Sequence, residues 1–451
     1  MAITEYGAND NPAVDSPFRR ARRAVQTADP TKSAFFWLCG FFIVYCTRFE
    51  DFIPGLHFIP FGKITAIMAA YGLFTAMGKT KRTLKDLPTM ANLLLYIIIL
   101  LYISAFTSPI WKGGAVLRTT DFAKIYPCWI LIFLIITTFA RLRKIIFIQA
   151  FSVVLVSCAA IIKGHDVDRL NQVLGGFYGN PNDLAFAVVL SLPYALAFLV
   201  MSKNAMGKLF WFVGMLLMTV VMFLTASRAG FIDLICSYSV ALYYVAIKGK
   251  RPWIIIASVL LGVVIVGAAG GRLYDRFTGN GQGGMTAEGS LEDRKFLMLR
   301  AVDAIEHYPL LGIGVKNFPT YSTIWHTVHM TYLQIGAEGG IPVLILYLMF
   351  FYRDFQNMFA LHRRKDLTTD EQLIAGALIG SQVGFVVGAL FAPEAYHFFP
   401  YFAAAFTVTL LQILNERQKE GGVTPPPTKK PRHFLEVYAD HGTAGAVSPV
   451  R

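Results

Sequence analysis

Charge is scarce in this sequence. Of 451 residues only 15% are Asp, Glu, Lys or Arg, and the 28 acidic residues are outnumbered by 41 basic ones. Soluble domains ordinarily carry about 25% charge, so a water-filled surface is excluded for most of the chain. Cysteine is equally sparse. Cys39, Cys46, Cys128, Cys158 and Cys236 fall in or beside apolar stretches without CxxC-type spacing, which argues against a disulfide framework and against a thiolate zinc site. The first 30 residues have no apolar core of the kind a cleavable signal carries. No internal repeat is visible.

What the chain does have is apolar length. It is 55% hydrophobic with a mean hydropathy of +0.51, and stretches approaching the ~20 residues needed to cross a bilayer recur along it. About twelve of them centre on Ala34–Cys46, Ile64–Met77, Met90–Phe106, Ile125–Ala140, Ile145–Ile162, Leu184–Met201, Leu209–Leu224, Gly230–Ile247, Trp253–Ala269, Ile341–Tyr352, Leu373–Phe391 and Phe398–Leu414. The first two are short and are separated by "DFIPGLHFIPFG". An all-α polytopic membrane protein is expected.

The net charge of +13 does not form one basic patch, which excludes nucleic acid as a partner. The basic clusters "RRARR", "GKTKRTLKD", "RLRK", "KNAMGK", "KGKR" and "HRRK" recur at every second connector. Roughly 27 of the 41 Lys and Arg then fall on one side, and the positive-inside rule makes that side, with both termini, cytoplasmic. The expected organisation is a cytoplasmic tail over 1–31, a membrane domain over 32–415, and a disordered cytoplasmic tail over 416–451 containing "GGVTPPPTKKPRH".

Most connectors on the other side are short. The exception runs from Gly270 to Gly340, far longer than a turn requires. Its start, "TGNGQGGMTAEGS", is Gly-rich, whereas "LEDRKFLMLRAVDAIEHY" has an acidic first turn and apolar residues at helical spacing, as in a helix lying on the membrane surface. "PLLGIGVKNF" follows, and then "WHTVHMTYLQIGAEGG" crowds ionisable groups before the apolar run "IPVLILYLMFF".

An Arg at the start of a surface helix, a Pro-Leu-Leu-Gly-Ile-Gly turn, and His-x-x-Tyr-Leu-Gln with Glu-x-Gly before a span resemble the O-antigen ligase and polymerase family of bacterial membrane glycosyltransferases. "GFYGNPNDLAF" (Gly176–Phe186) is similar to that family's Asn-Pro-Asn start of a middle span, and "TASRAG" (Thr225–Gly230) to its Ser-Arg-x-Gly turn. The likeness extends from about Gly175 to Tyr352. One departure is Met330, where the family commonly has Asn after the histidine.

The resemblance implies a GT-C-like membrane fold of about twelve spans with one large extracytoplasmic loop, embedded among membrane lipids of the bacterial inner membrane. It further implies transfer of a glycan from an undecaprenyl-pyrophosphate donor to a sugar hydroxyl of lipid A-core or of a polysaccharide, at the periplasmic face. His329 is then the group that takes the acceptor proton. Arg228 and Arg294 offset the charge that develops on the pyrophosphate, since guanidinium pairs with phosphate in bidentate fashion. Asn182, Arg300, Tyr332 and His326 are expected substrate contacts. If the histidine stretch is helical, His326 and His329 lie only about 60° apart and their roles can exchange. Arg300 is about 120° from Arg294 on its helix and plays a secondary part. Glu338 either orients the histidine or serves the turn before "GGIP". No metal or other cofactor is required, because two arginines can neutralise the leaving group.

Two other features have less specific readings. "HDVDR" (His165–Arg169) has oxygen ligands spaced as some metal sites have them, but reads better as a solvated loop. Asp233 is an acid inside a span, where ionisable groups are functional candidates. A solute transporter is the alternative of another class, disfavoured because ionisable groups gather at one face and not at mid-membrane. Chain-extending polymerase is the alternative within the class, and the single large loop favours the ligase.

Overall fold

The computed structural model describes residues 29–421, apart from 54, 57, 165–169, 172, 226, 261, 264–266, 268–286 and 325; of the side chains of 52, 177, 228 and 287–291 nothing is described. Among the described residues the structure is helical, without strands. The helices are α1 (Lys32–Thr47), α2 (Phe61–Thr75), α3 (Thr89–Thr107), α4 (Lys112–Ala123), α5 (Ile125–Ile135), α6 (Phe139–Lys163) and α7 (Pro181–Met201). They continue as α8 (Ala205–Leu224), α9 (Arg228–Leu242), α10 (Ala287–His307), α11 (Phe318–Ser322), α12 (Thr331–Arg363), α13 (Thr369–Gly388) and α14 (Phe398–Lys419). Residues 412–421 form the start of a second compact unit, which contains the end of α14.

Among the described residues, eight helices are long and apolar enough to cross a membrane: α3, α6, α7, α8, α9 with the π turn that extends it to Ile247, α12, α13 and α14. The protein is a multi-pass membrane protein. The other four expected spans differ from the simple pattern. With 16 and 15 residues, α1 and α2 reach only about 24 and 22 Å. They lie close together because Gly72 faces the backbone of Ala34 and Gly40 faces Thr65, the small-residue contact typical of membrane helices. The expected span from Trp253 is helical over 253–260 and then passes outside the described residues.

The stretch Ile125–Ala140 is not one span. Helix α5 has 11 residues and stops at Ile135. Its final carbonyls, which have no partner within the helix, are taken by arginines: Arg82 donates to Phe133 O and Ile136 O at 2.7 and 2.9 Å, and Arg141 to Ile135 O at 2.7 Å. Thr138 then caps α6 by accepting from the Arg141 N–H. Apolar content alone hides such a stop, because it is made by charged side chains from elsewhere.

The connectors sort into two sets by their bonds. Arg141 meets Asp29 and Thr31, Arg143 meets Asp370, and Arg82 binds the end of α5; these are the basic connectors. On the opposite set, Ser108 donates to Ile313 O at 2.6 Å and Thr331 N donates to Ala389 O at 2.8 Å. The loop containing α10 and α11 therefore shares a face with the α3–α4 and α13–α14 connectors.

Helix α12 is interrupted near its start. Gly340 has φ 82° and ψ 172°, a conformation open essentially to glycine alone. Pro342 has no N–H to give to Glu338 O, and the Ile341 N–H turns instead to Pro309 O at 2.8 Å. The carbonyls of Ala337 and Glu338 are thus left without helical partners. The Gly-Ile-Gly turn supplies them: Ile313 N and Gly314 N donate to Ala337 O and Glu338 O, both at 2.9 Å, and Ser104 Oγ donates to Glu338 O at 2.8 Å. A Cβ at Gly312 would lie 2.6 Å from the Glu338 carbonyl carbon, so glycine there permits the approach. The loop is docked into the break in the span.

Candidate active site

The loop has its own small core. Leu297, Ala301 and Ala304 form one buried stripe of α10 and pack with Ile313, Phe318, Val328 and Ala337. Their spacing of four and three residues is the helical repeat expected from the sequence. Met330 joins this core; at the position where the resembling family has an amide, this chain places an apolar anchor.

Helix α10 begins at Ala287, so Arg294 lies in its second turn and does not open it. Arg294 precedes Leu297 by three residues and Ala301 by seven, so it shares their face. That face brings its charge to bear on His329. The residues from 326 to 330 are not helical, and α12 starts at Thr331; the helical angle expected between His326 and His329 does not apply. His329 is half-buried and His326 is exposed. Burial first, and then the charges of Arg294 and His326, lower the His329 pKa to about 4. At neutral pH its imidazole is unprotonated and able to accept a proton.

Thr331 fixes the backbone beside His329. Its hydroxyl donates to Ala392 O at 2.7 Å and accepts from Glu394 N at 2.9 Å. Tyr332 donates to Val386 O at 3.1 Å, which ties the same end of α12 to α13. Glu338 is buried and accepts from the Tyr396 hydroxyl at 2.7 Å. Its carboxylate partner is thus a tyrosine and not the histidine. Arg300 donates to Asp303 at 2.9 Å and to Tyr321 O at 3.2 Å, and lies 4.8 Å from the Tyr321 ring centre. It braces α10 to α11, on the flank away from Arg294.

The remaining two motifs converge on this end of the bundle. In "TASRAG", Ser227 caps α9 by accepting from Gly230 N at 3.2 Å. Gly230 packs against α7, where a Cβ would lie 3.0 Å from Ala185. The start of α9, with Arg228 as its first residue, is therefore set beside the start of α7; the Arg228 side chain lies outside the described residues. In "NPND", Asn180 caps α7 by accepting from Asn182 N at 2.9 Å, and Asn182 is half-buried in the first turn.

Sequence reasoning passed over Asp183 and Glu394. Their carboxyl groups are hydrogen-bonded, with Lys316 supplying positive charge to both. Burial, followed by the charge of Asp183, raises the Glu394 pKa well above the ordinary carboxylate range. Glu394 holds the proton in that pair. Asp183 is the residue after Asn182, and Glu394 sits in "FAPEAYHFFP", an acid among aromatic residues in an outer-type connector; that unusual surrounding was the available signal. The charge of Asp233 also reaches Glu394. Asp166 and Asp168 of "HDVDR" lie outside the described residues, and among the described residues no group of three or more metal-ligating side chains is assembled.

Taken together, fold and site define a polytopic helical membrane protein with a neutral histidine, an arginine and a hydrogen-bonded acid pair, of which Glu394 is buried, gathered at one face. Residues 213–348, from the middle of α8 into α12, match the family described as O-antigen ligase. The matched segment contains the Ser-Arg-x-Gly turn, Arg294, the Gly-Ile-Gly turn and His329, and leaves out "NPND". No curated protein matches the chain.

Proposed function

We propose that the protein is an O-antigen ligase-type glycosyltransferase, acting at the periplasmic face of the bacterial inner membrane. Its donor is an undecaprenyl-pyrophosphate-linked glycan, and its acceptor is a sugar hydroxyl of lipid A-core or a similar glycan. The observation that carries this reading is His329, held neutral beside Arg294 inside the family-matched segment.

The chemistry follows from those groups. The His329 imidazole takes the proton of the acceptor hydroxyl as its oxygen bonds to the anomeric carbon of the donor. The bond from that carbon to the pyrophosphate oxygen breaks, and the lipid pyrophosphate leaves with the electron pair. Negative charge grows on the phosphate oxygens as it departs. Arg294 and Arg228 are the groups assigned to offset it, because a planar guanidinium can grip two phosphate oxygens at once. With that charge met by arginine, transfer needs no metal.

The test is transfer of a lipid-linked glycan by purified protein. His329→Ala is expected to lower the rate by about 10²–10⁴, the usual contribution of a general base, while remaining folded in the membrane. Arg294→Lys keeps charge but loses the fork, and is expected to lose most activity. Wild type is expected to run in excess chelator. Full activity in His329→Ala overturns the base assignment, and activity restored only by magnesium or manganese moves the phosphate role to a metal. In a deletion strain, intact lipid-linked polymer without long chains on the lipid core marks ligation; single-repeat products mark polymerisation.

A further inference from the structure

A cavity of about 440 Å³ lies between the start of α4 and the turn that leads into α11, lined by Trp111, Gly114, Arg118, Lys316, Asn317 and Thr320 among others. This volume is within the range of about 300–1,000 Å³ that small-ligand sites occupy. His329 is not among its lining residues, and it opens on the same face, since the connector holding Trp111 is bonded to the turn holding Asn317.

Trp111 is an open aromatic platform. A Cβ added at Gly114 would fall 2.2–2.6 Å from three indole ring atoms, so the ring lies directly on the glycine of the first helical turn. The residue is nonetheless 65% exposed, which leaves its outer side uncovered. The opposite wall is fixed to it by one amide. Asn317 Nδ2 donates to Ser108 Oγ, Ile313 O and Trp111 O at 2.8, 3.0 and 3.3 Å, and Asn317 itself is buried. Lys316 is held at φ 60°, a left-handed conformation that costs a non-glycine residue energy and persists where the surroundings impose it.

The lining residues contribute two cations and no carboxylate. Arg118 meets Asp121 only at 3.8 Å, and that carboxylate is shared with Lys124. The charge of Lys316 is partly spent on Asp183, Glu338 and Glu394, so Arg118 is the principal anion partner. An indole face next to a guanidinium suits a ring-shaped ligand with an apolar C–H face, one negative group, and hydroxyls for the lysine and threonine.

We infer that this cavity binds a carboxylated sugar residue of the glycan, its ring on Trp111 and its carboxylate on Arg118. This deepens the glycosyltransferase reading and rests on it, because it names a substrate feature for that same face. An anionic lipid headgroup has similar charge, but a cavity walled by two connectors and floored by an indole fits a ring better than a headgroup at the end of two acyl chains.

The test uses the full chain in phosphatidylcholine nanodiscs, titrated calorimetrically with a digalacturonate and with its neutral digalactose counterpart. The acidic disaccharide is expected to bind at least about tenfold more tightly, the scale of one charge-assisted hydrogen bond. Arg118→Gln is expected to abolish that preference. Trp111→Ala and Gly114→Ala are expected to weaken both ligands, the second by displacing the ring without altering any charge. Equal binding of the two disaccharides, or an unchanged preference in Arg118→Gln, overturns the inference. So does protection of Thr320→Cys, which keeps both Trp111 and Arg118, from a thiol reagent by phosphatidylglycerol and by neither disaccharide, which marks a lipid site. His329→Ala should bind the acidic disaccharide like wild type. Loss of transfer in that variant with no saccharide binding in any variant defeats the cavity alone, whereas retained transfer with normal binding defeats only the proposed base.

Discussion

His329 shows how position decides the chemistry of a residue. Burial and the Arg294 charge both disfavour its protonated form, giving a pKa near 4. In the proposed mechanism the working form is the unprotonated one, which predominates above about pH 5 and is lost as pH falls through 4. The acid limb of kcat/KM, which reports the free enzyme, is therefore expected near pH 4. Arg294→Gln removes one of the charges that lower the pKa, so in the residual activity of that variant the limb should move to higher pH. A bound pyrophosphate acts in the same direction, and the limb of kcat should lie above that of kcat/KM. A limb at 6 to 7 in the free wild-type enzyme, unmoved in Arg294→Gln, refutes the electrostatic account. His329 was picked out as a candidate in the sequence through the resemblance, and the arginine charge that would keep it neutral was expected with it. The larger cause, burial, was not foreseen, because it comes from the packing of the loop and not from spacing along the chain.

At the scale of elements, the stripe of α10 was legible from its helical repeat, and the long apolar helices from their length. The ends were not. The termination of α5 depends on Arg82, which precedes it by some fifty residues, and the break in α12 depends on a turn docking into it. "EGGIP" reads locally as a turn before a span, yet helix runs on both sides of Gly340. The break can be tested. Gly340→Ala would place a Cβ 2.5 Å from Leu310 O at a backbone conformation that itself costs of order 1–3 kcal/mol for other residues. The variant is expected to melt at a lower temperature than wild type in detergent and to lose transfer activity with it. An unchanged melting temperature would show that the turn and the helix are not joined as described. The acid pair of Asp183 and Glu394 escaped the sequence reading for a related reason: its members are separated by almost half the chain, and neither alone departs from what a capping or loop acid does.

For the whole molecule, the charge pattern and the bonding of the connectors agree on two sets. The basic clusters at Arg82, Arg141 and Arg143 associate with one another's neighbourhoods, and the α10–α11 loop associates with the α3–α4 and α13–α14 connectors. By the positive-inside rule the second set is expected on the side away from the cytoplasm. Leu310 is 71% exposed in that loop, so Leu310→Cys should react with an impermeant thiol reagent in intact spheroplasts, while Lys248→Cys on the basic set should react only after the membrane is opened. The reverse pattern would invert the topology and withdraw the periplasmic mechanism.

The docking of the Gly-Ile-Gly turn into α12 also bears on how the chain is built. Carbonyl groups without partners are costly where lipid replaces water, and Ala337 and Glu338 have lost theirs to Gly340 and Pro342. Their donors, Ile313 and Gly314, come earlier in the sequence and so leave the ribosome first. By the time the second half of this span enters the bilayer, the groups that complete its first half have already been made.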